Sequence, residues 1–543
     1  MSVASYRVPL LWLLIPMING YIIGHFIPHL PVLPTTLMAF VSLAIAFWLS
    51  RKGTQIGQRK YWPCFMILGV SSASLLYYQQ HLQFPERWNE LPPREAFIEL
   101  EVKRLYAGNH LEKISGLATV IGTEAHLNPL LNYPIYFSTN VEGFVIDRGN
   151  SLKVRGVLSY LPSKEDHSLF EQYLIGQSIS LTLTRAYLTD TPQQGNWFEQ
   201  LIGSLRRNAI STLGINLADY PEELSIYRGM MLGIKGELSS ENKEIFLKTG
   251  TLHLFAISGL HVGIIAVTVA SIFLVLRVPR HISVIAGVCL VYLYVEITGA
   301  SPSAVRAFAM TAFFWVGKSL IRQMPPFQAL VASAVTVLIA SPTQLFSAGF
   351  QLSYTVVSGI LLWGIPLYQS LRYRWHERIL QKQVDLSKGR MLLNRTVEII
   401  GGIFCISLSA TLASAPLSIL YFGILAPFAV FLNMILIPIA SLVIIAGLFS
   451  LIGSCCLLPA ISGFLNHGPL LLIQIMGGLL DNAAHVPNTF VKTTWVTESF
   501  GISTVILFLS SLLVVHGIKW RNQWKFAFPV VITVGMILVN SLI

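Results

Sequence analysis

Charged residues are scarce in this sequence of 543 residues, of which they make up only 12%, against about 25% in ordinary soluble domains. Hydrophobic residues make up 53%, and the mean hydropathy is +0.63. This composition excludes a soluble globular protein and an intrinsically disordered chain. Because many apolar stretches are long enough to cross about 30 Å of hydrocarbon, it predicts a polytopic α-helical membrane protein.

Cysteines are also few. All five lie in apolar stretches, and the one long polar region has none. This distribution gives no disulfide framework and no cysteine-based metal site. The only sequence that resembles part of a phosphate-binding loop, at 317–319, follows bulky residues of a membrane helix instead of glycines. We therefore predict no ATP-driven motor, no metal and no cofactor.

The apolar stretches predict about thirteen transmembrane helices, some of them broken by proline or glycine. These stretches are 8–24, 35–49, 63–78, 254–276, 282–298, 304–316, 327–340, 346–368, 397–422, 427–451, 470–484, 500–516 and 526–543. Basic residues occur in alternate loops, beginning with 51–60. Because short basic loops stay in the cytoplasm, we expect a cytoplasmic N-terminus and an extracytoplasmic polar region after residue 78.

The net charge of +11 is unevenly distributed. Residues 81–245 carry 15 basic and 20 acidic residues, so the excess of positive charge belongs to the membrane part. Membrane topology explains that excess more simply than a nucleic-acid partner does. Basicity alone therefore does not indicate that the protein binds DNA.

Residues 96–188 are predicted to form a small extracytoplasmic β-barrel of OB type. Apolar residues alternate with polar ones in about five runs, for example at Ile98, Leu100 and Val102. Such a barrel could bind single strands, or it could be a structural cap on the membrane part. Two amphipathic helices follow it, which would lie at the membrane surface or fill a cavity. The predicted domains are 1–78 (three helices), 79–190 (barrel), 191–250 (amphipathic helices), 251–495 (channel) and 496–543 (two helices).

Polar residues within the apolar stretches are the candidate functional residues. His253, Ser258 and His261 open one predicted span, where Gly259 and Gly263 would allow a second helix to pack closely. Ser258 with a nearby histidine could also be the nucleophile and base of an intramembrane hydrolase, although no orienting acid is near in sequence.

Charged residues define two further features. Glu296 and Arg306 flank a helix break at 298–303, where they could form an intramembrane ion pair or leave Arg306 to meet phosphates. The loop at 371–395 could bind an anionic polymer or a cytoplasmic partner, or it could anchor the chain on anionic lipid. Its basic residues are Arg372, Arg374, Arg378, Lys382, Lys388, Arg390 and Arg395.

Four stretches together resemble the ComEC family of DNA uptake channels. They are HLFAISGLHVGIIA (253–266), TGASPSAVRAFAM (298–310), GFQLSYTVVSGILLWG (349–364) and SAPLSILYFGILAPFAVFLNMILIP (414–438), in the order found in the family. The resemblance implies an inner-membrane channel that passes single-stranded DNA inward during natural transformation and is not itself an enzyme. It adds Gln351, Tyr354 and Asn433 to the expected substrate path.

The resemblance also implies partners. These are an extracytoplasmic DNA receptor, a cytoplasmic motor or single-strand-binding protein, and membrane lipid; it leaves the oligomeric state open. Many family members continue into a domain similar to metallo-β-lactamases, whereas this chain ends at Ile543. Either a separate nuclease is therefore expected to degrade the second strand, or this sequence is a shorter variant. The alternatives are a transporter of another anionic substrate on the same scaffold and, less favoured, the hydrolase built on Ser258.

Overall fold

The computed structural model describes residues 8–542, except for 28–29, 52–60, 82–91, 111–112, 142, 162–168, 178, 235, 237, 256, 321–323, 382–387, 456–458, 487–488 and 518–525. The basic residues at 52–60 and 519–525 that bear on topology therefore lie outside the described residues. The chain divides into two compact units. Unit 1 comprises 1–203 and 323–350, and unit 2 comprises 204–322 and 351–543.

Most described residues are helical. The helices are, in chain order, α1 (Leu11–Phe26), α2 (Val32–Arg51), α3 (Trp62–His81), α4 (Leu169–Ile175), α5 (Trp197–Leu213), α6 (Pro221–Leu232), α7 (Ser240–Lys248), α8 (Gly259–Val275), α9 (Arg280–Ile297), α10 (Pro302–Leu320), α11 (Pro326–Ala340), α12 (Ala348–Gly359), α13 (Ile365–Gln381), α14 (Lys388–Phe422), α15 (Ala429–Cys455), α16 (Pro459–Ala484), α17 (Glu498–Gly517) and α18 (Ala527–Leu542). A π-helical segment, Ile360–Gly364, joins α12 to α13.

Each apolar stretch singled out in the sequence falls on a helix. Of the described helices, seven are long and apolar enough to cross a membrane, and four shorter ones are also apolar. This confirms a polytopic helical membrane protein, while the number thirteen stays a prediction. Two helices extend well beyond their apolar stretches, since α14 begins at Lys388 and α16 at Pro459.

Unit 1 contains the predicted barrel. Its strands are β1 (Arg94–His110), β2 (Lys113–Thr123), β3 (Pro134–Asn140), β4 (Ser151–Tyr160) and β5 (Leu181–Leu188). They close in the order β1-β2-β3-β5-β4, with β3 and β5 parallel. The alternating residues Ile98, Leu100 and Val102 are fully buried in the barrel core. The period-two pattern thus correctly predicted five strands around one core.

The helices of unit 1 bring together distant parts of the sequence. Gly20 of α1 lies against α3, where an added Cβ would come within 2.2 Å of the Ser71 carbonyl oxygen. The hydroxyl of Tyr21 donates to the Leu338 carbonyl at 3.0 Å, and that of Tyr77 donates to the Ile339 carbonyl at 2.6 Å. These bonds attach the end of α11 to α1 and α3, although the sequence assigned that stretch to the channel domain.

Unit 2 has one large apolar core, to which α6, α8, α9, α10, α15 and α16 contribute. α6 is not a surface helix in this core, because Tyr227, Met230 and Met231 are fully buried. It therefore fills the interior of the unit, which was the second of the two roles considered for the amphipathic helices. The remaining strands, β6 (Ile424–Leu425) and β7 (Val491–Lys492), pair with each other.

Candidate functional site

Ser258 and His261 form the N-terminus of α8. The backbone N–H of Ser258 donates to Nδ1 of His261 at 3.3 Å, and the Ser258 hydroxyl lies 2.9 Å from the same nitrogen. Because Nδ1 accepts these bonds, the imidazole is neutral and carries its proton on Nε2. The pair caps the helix. The distance of 2.9 Å between the Ser258 hydroxyl and Nδ1 of His261 also falls in the range at which a histidine activates a serine nucleophile.

The two histidines of this segment have different surroundings. His261 is fully buried, and its Nε2 has no hydrogen-bond partner among the described residues. A catalytic serine–histidine pair would have an acid at this second nitrogen, and none of the described carboxylates lies there. His253 is exposed, and its Nδ1 donates to the Gly250 carbonyl at 3.2 Å.

The helix break at 298–303 lies directly against the start of α8. Gly299 and Ala300 have φ values of +85° and +46°, which form a tight left-handed turn between α9 and α10. Past the turn, the Ser303 hydroxyl donates to the Ile257 carbonyl at 2.8 Å. The N-termini of α8 and α10 are therefore neighbours.

Gly259 and Gly263, which were predicted to allow close packing of a second helix, have room for a side chain among the described residues, and their packing role stays a prediction. A Cβ added to Gly259 would lie 3.7 Å from that of Ala307, which is an ordinary contact, and one added to Gly263 would meet nothing within 4 Å. Since side chains fit at both positions, close approach of helices does not require these glycines. Buried apolar residues of α8 and α10 pack in the same core, and the Ser303 hydroxyl adds a hydrogen bond to the residue that precedes α8 by two positions.

Arg306 is buried, with 4% of its surface exposed. Its Nε and Nη2 donate to the Ser353 hydroxyl at 3.3 and 3.1 Å, which links α10 to α12. Glu296 on α9 is also buried, with 8% of its surface exposed. The ion pair between Glu296 and Arg306 stays a prediction.

α12 also bonds to α14. The Tyr421 hydroxyl donates to Oε1 of Gln351 at 2.9 Å, while Tyr354 is half-buried on the same helix. The π-helical segment that follows packs tightly on α14, because a Cβ at Gly364 would come within 2.8 Å of Ser409 Cβ. Short π-helical segments often mark functional sites. α12 thus connects the polar groups of α10 with those of α14.

Two buried oxygens in this region lack partners among the described residues. Asn433 of α15 is 7% exposed, and its Oδ1 is buried without a hydrogen bond. The Ser409 hydroxyl of α14 is in the same state. An unpaired buried polar group costs about 1–3 kcal/mol, so these positions favour contact with water or with a substrate.

Sequence reasoning missed several of these residues. Ser353, Tyr421, Ser409 and Arg206 of α5 were not singled out. In the structure, Nη1 of Arg206 donates to the Ile297 carbonyl at 2.8 Å, next to the 298–303 turn. Single polar residues in apolar stretches were the only available signal.

The basic loop is described in part. Arg372 pairs with Glu398 at 3.2 Å, and Arg374 and Arg395 are exposed. Lys382 lies outside the described residues, as do the side chains of Arg378, Lys388 and Arg390.

Comparison with known proteins places most of these residues in one region that matches a protein family. Residues 230–519 match the family model described as "Competence protein". All the predicted path residues, from His253 to Asn433, fall within the matched range. No solved structure matches the chain.

Three curated relatives are similar over part of their length. ComE operon protein 3 of Bacillus subtilis (strain 168) is 27% identical over 56% of this chain and 35% of the relative. YcaI, an uncharacterized protein of Escherichia coli (strain K12), is 28% identical over 39% of this chain and 30% of the relative. Recombination protein 2 of Haemophilus influenzae is 22% identical over 50% of this chain and 32% of the relative. The chain thus spans about a third of the length of the curated relatives it matches.

Proposed function

This chain belongs to the competence protein family, and we propose that it is an inner-membrane channel that passes single-stranded DNA into the cytoplasm during natural transformation. The observation that carries the proposal is the set of polar groups inside the apolar unit 2, above all the unpaired Oδ1 of Asn433. Irregular or polar groups at membrane depth are tolerated where they face water or protein. A hydrated path past Asn433 would satisfy this oxygen.

The proposed entrance is formed by the paired N-termini of α8 and α10. Each helix N-terminus carries about half a positive charge, and Arg206 adds a full charge at the adjoining turn. Such an arrangement suits the approach of a polyanion. Ser258 and the neutral His261 contribute hydrogen bonds without further charge.

In this proposal the barrel of unit 1 is an extracytoplasmic OB-type domain. Its order β1-β2-β3-β5-β4 agrees with a five-stranded Greek-key barrel. α4 covers part of its outer face, where Phe170 and Tyr173 pack on Tyr106 and Tyr136. Burial raises the pKa of Tyr106, so its hydroxyl stays neutral. This packing holds α4 against the barrel.

Transport through the channel would need an external driving force. Moving each phosphate against a potential of 100 mV costs about 2.3 kcal/mol, and the sequence has no ATP-binding motif. The proposal therefore includes a cytoplasmic motor or single-strand-binding protein, together with an extracytoplasmic DNA receptor that delivers the strand. The proposal also puts the N-terminus in the cytoplasm, as the basic loops in the sequence indicate.

Two alternatives remain distinct from this proposal. A transporter of another anionic substrate would use the same polar groups, and uptake assays with labelled DNA separate it from a DNA channel. A hydrolase is favoured by one observation, the 2.9 Å distance between Ser258 Oγ and His261 Nδ1. It would require that Ser258→Ala abolish turnover of a substrate.

The central test is cysteine accessibility at Asn433. In a background without native cysteines, Asn433→Cys should react with a membrane-impermeant thiol reagent, and the reaction should block uptake of labelled DNA. Ile435→Cys is a matched control, because Ile435 lies on the same helix and is 50% exposed on the surface of the bundle. We expect it to remain unlabelled, since that surface would face lipid.

The outcomes separate the possibilities. Labelling of Asn433→Cys without loss of DNA uptake would assign the hydrated path to another substrate. An unlabelled but functional Asn433→Cys protein would show that no path reaches this residue.

A further inference from the structure

Arg206 is a charged residue on the inward-facing side of α5. It lies three residues before Ala209 and seven before Leu213, and at this helical spacing the three residues share one face. Ala209 and Leu213 are buried in the core of unit 2, and Arg206 itself is half-buried. The next residue, Arg207, is exposed. α5 therefore carries the charge of Arg206 toward the interior of the unit.

The last four carbonyls of α9 show what this charge binds. The carbonyls of residues 294–296 accept hydrogen bonds from the backbone N–H groups of residues 298–300 at 2.9–3.0 Å. No backbone N–H of the described residues reaches the fourth carbonyl, that of Ile297, which accepts instead from Nη1 of Arg206 at 2.8 Å. A helix C-terminus carries about half a negative charge, which favours a cation at this position. Arg206 thus completes the hydrogen bonding at the end of α9.

The turn after α9 is strained and closely packed around this contact. Gly299 has a φ of +85°, and a Cβ added to it would lie 3.3 Å from Nη1 of Arg206. Ala300 has a φ of +46°, which residues other than glycine rarely adopt. Backbone in such a conformation persists only where its surroundings hold it. The guanidinium of Arg206 is one of the groups that hold this turn.

The turn fixes the start of α10 and, through it, the start of α8. α10 begins at Pro302, and the Ser303 hydroxyl donates to the Ile257 carbonyl at 2.8 Å. Ile257 immediately precedes Ser258, whose backbone N–H donates to Nδ1 of His261 at 3.3 Å. A displacement of the turn is therefore transmitted to the N-terminus of α8.

We propose that Arg206 is a positioning residue for the DNA path. Its bond to the end of α9 holds the turn at 298–303, and the turn holds the N-termini of α8 and α10 at the entrance. This role rests on the proposed function and is additional to the charge that Arg206 contributes there. Lysine would keep that charge, but it has a single ammonium in place of the planar guanidinium that lies against Ile297 and Gly299. A role in positioning therefore distinguishes arginine from lysine, whereas a role in charge alone does not.

The test combines hydrogen–deuterium exchange of the purified full chain with uptake of labelled DNA by cells. In Arg206→Lys and Arg206→Gln, the amides of Gly299 and Ala300 should exchange roughly tenfold faster than in the wild type, the factor that corresponds to about 1.4 kcal/mol. The amides of the first turn of α8, residues 259–262, should also exchange faster. DNA uptake at equal membrane abundance should fall to the same extent in both variants.

Two further variants make the result specific. Arg207→Gln is the matched control, because it removes the same charge from the next, exposed position of α5. It should leave both exchange and uptake unchanged. Gly299→Ala disturbs the turn while keeping Arg206, since its Cβ would strain the backbone and crowd the guanidinium. It should reproduce the effects of Arg206→Lys.

The outcomes separate positioning from charge. Normal uptake by Arg206→Lys would overturn the proposal, because the charge alone would then suffice. Unchanged exchange at 298–300 or at 259–262 in the Arg206 variants would overturn it as well. If these variants do not fold, Gly299→Ala decides: faster exchange in both segments supports the proposal and unchanged exchange refutes it. If the wild type takes up no DNA, the proposed function fails, while the exchange data still show whether Arg206 holds the two N-termini.

Discussion

Asn466 of α16 should be among the most sensitive positions for the stability of unit 2. It is fully buried and uses its whole hydrogen-bonding capacity. Its Oδ1 accepts from the Ser450 hydroxyl at 2.8 Å and from the Tyr227 hydroxyl at 3.4 Å. Its Nδ2 donates to the carbonyls of Thr212 and Ile215 at 2.8 and 3.2 Å. One side chain thus connects α5, α6 and α15 to α16.

Asn466→Leu would remove all four bonds while nearly keeping the volume. Hydrogen bonds between membrane helices contribute about 0.6 kcal/mol each on average. In this variant the Thr212 carbonyl still accepts a hydrogen bond from the Ile215 N–H. The Ile215 carbonyl loses the partner that Asn466 provides, and leaving it unpaired costs about 1–3 kcal/mol of stability. We therefore expect a loss of about 3–5 kcal/mol in the free energy of unfolding.

The assay is unfolding of the purified protein in detergent, followed by the loss of monodisperse protein on heating. Asn482→Leu is the matched control, because Asn482 lies on the same helix and is exposed, with only a local bond to the Gly478 carbonyl. The control should unfold like the wild type. If Asn466→Leu unfolds at the same temperature as the control, the network does not stabilise the unit as reasoned here.

Three further predictions concern the path, the topology and the packing. Arg306→Gln should lower DNA uptake more than membrane abundance, and unchanged transformation frequency at equal abundance would refute a phosphate role. Alkaline phosphatase fused after Gly195 should be active and after Gly389 inactive; the reverse would invert the topology. Gly364→Ala should cost about 1–3 kcal/mol through overpacking, because its Cβ would approach Ser409. Gly263→Ala should be neutral by comparison, and equal effects in thermal unfolding would contradict the packing described.

Hydropathy and period-two patterns were sufficient for the helices and the barrel because those signals are local. The association of α11 with α1 and α3 is not local. It depends on Tyr21 and Tyr77 reaching the carbonyls of Leu338 and Ile339, more than 250 residues away along the chain. Nothing in either segment alone indicates this pairing, which is why the sequence placed α11 in the channel domain.

The sequence was enough to predict which types of residue form the candidate site, but not which residues are hydrogen-bonded to each other. Ser258 and His261 are three residues apart, so their contact followed from helical spacing. Ser353 as the partner of Arg306, and Tyr421 as that of Gln351, depend on how α10, α12 and α14 pack. The packing role of Gly259 and Gly263 also cannot be read from the sequence, because small residues at helical spacing suggest close packing whether or not a neighbour is present.

The distribution of charge has a consequence for a conduit. Arg306 is the only lysine or arginine in the buried set of the described residues. A phosphate about 4 Å from a cation gains about 4 kcal/mol at an effective dielectric constant near 20, which slows its release by roughly a thousandfold. Several such cations in series would hold a strand in place. In the proposed path Arg306 would be the one buried cation, with the Ser353 hydroxyl bonded to its guanidinium, so a strand would pass a single strong contact at this depth and could move on.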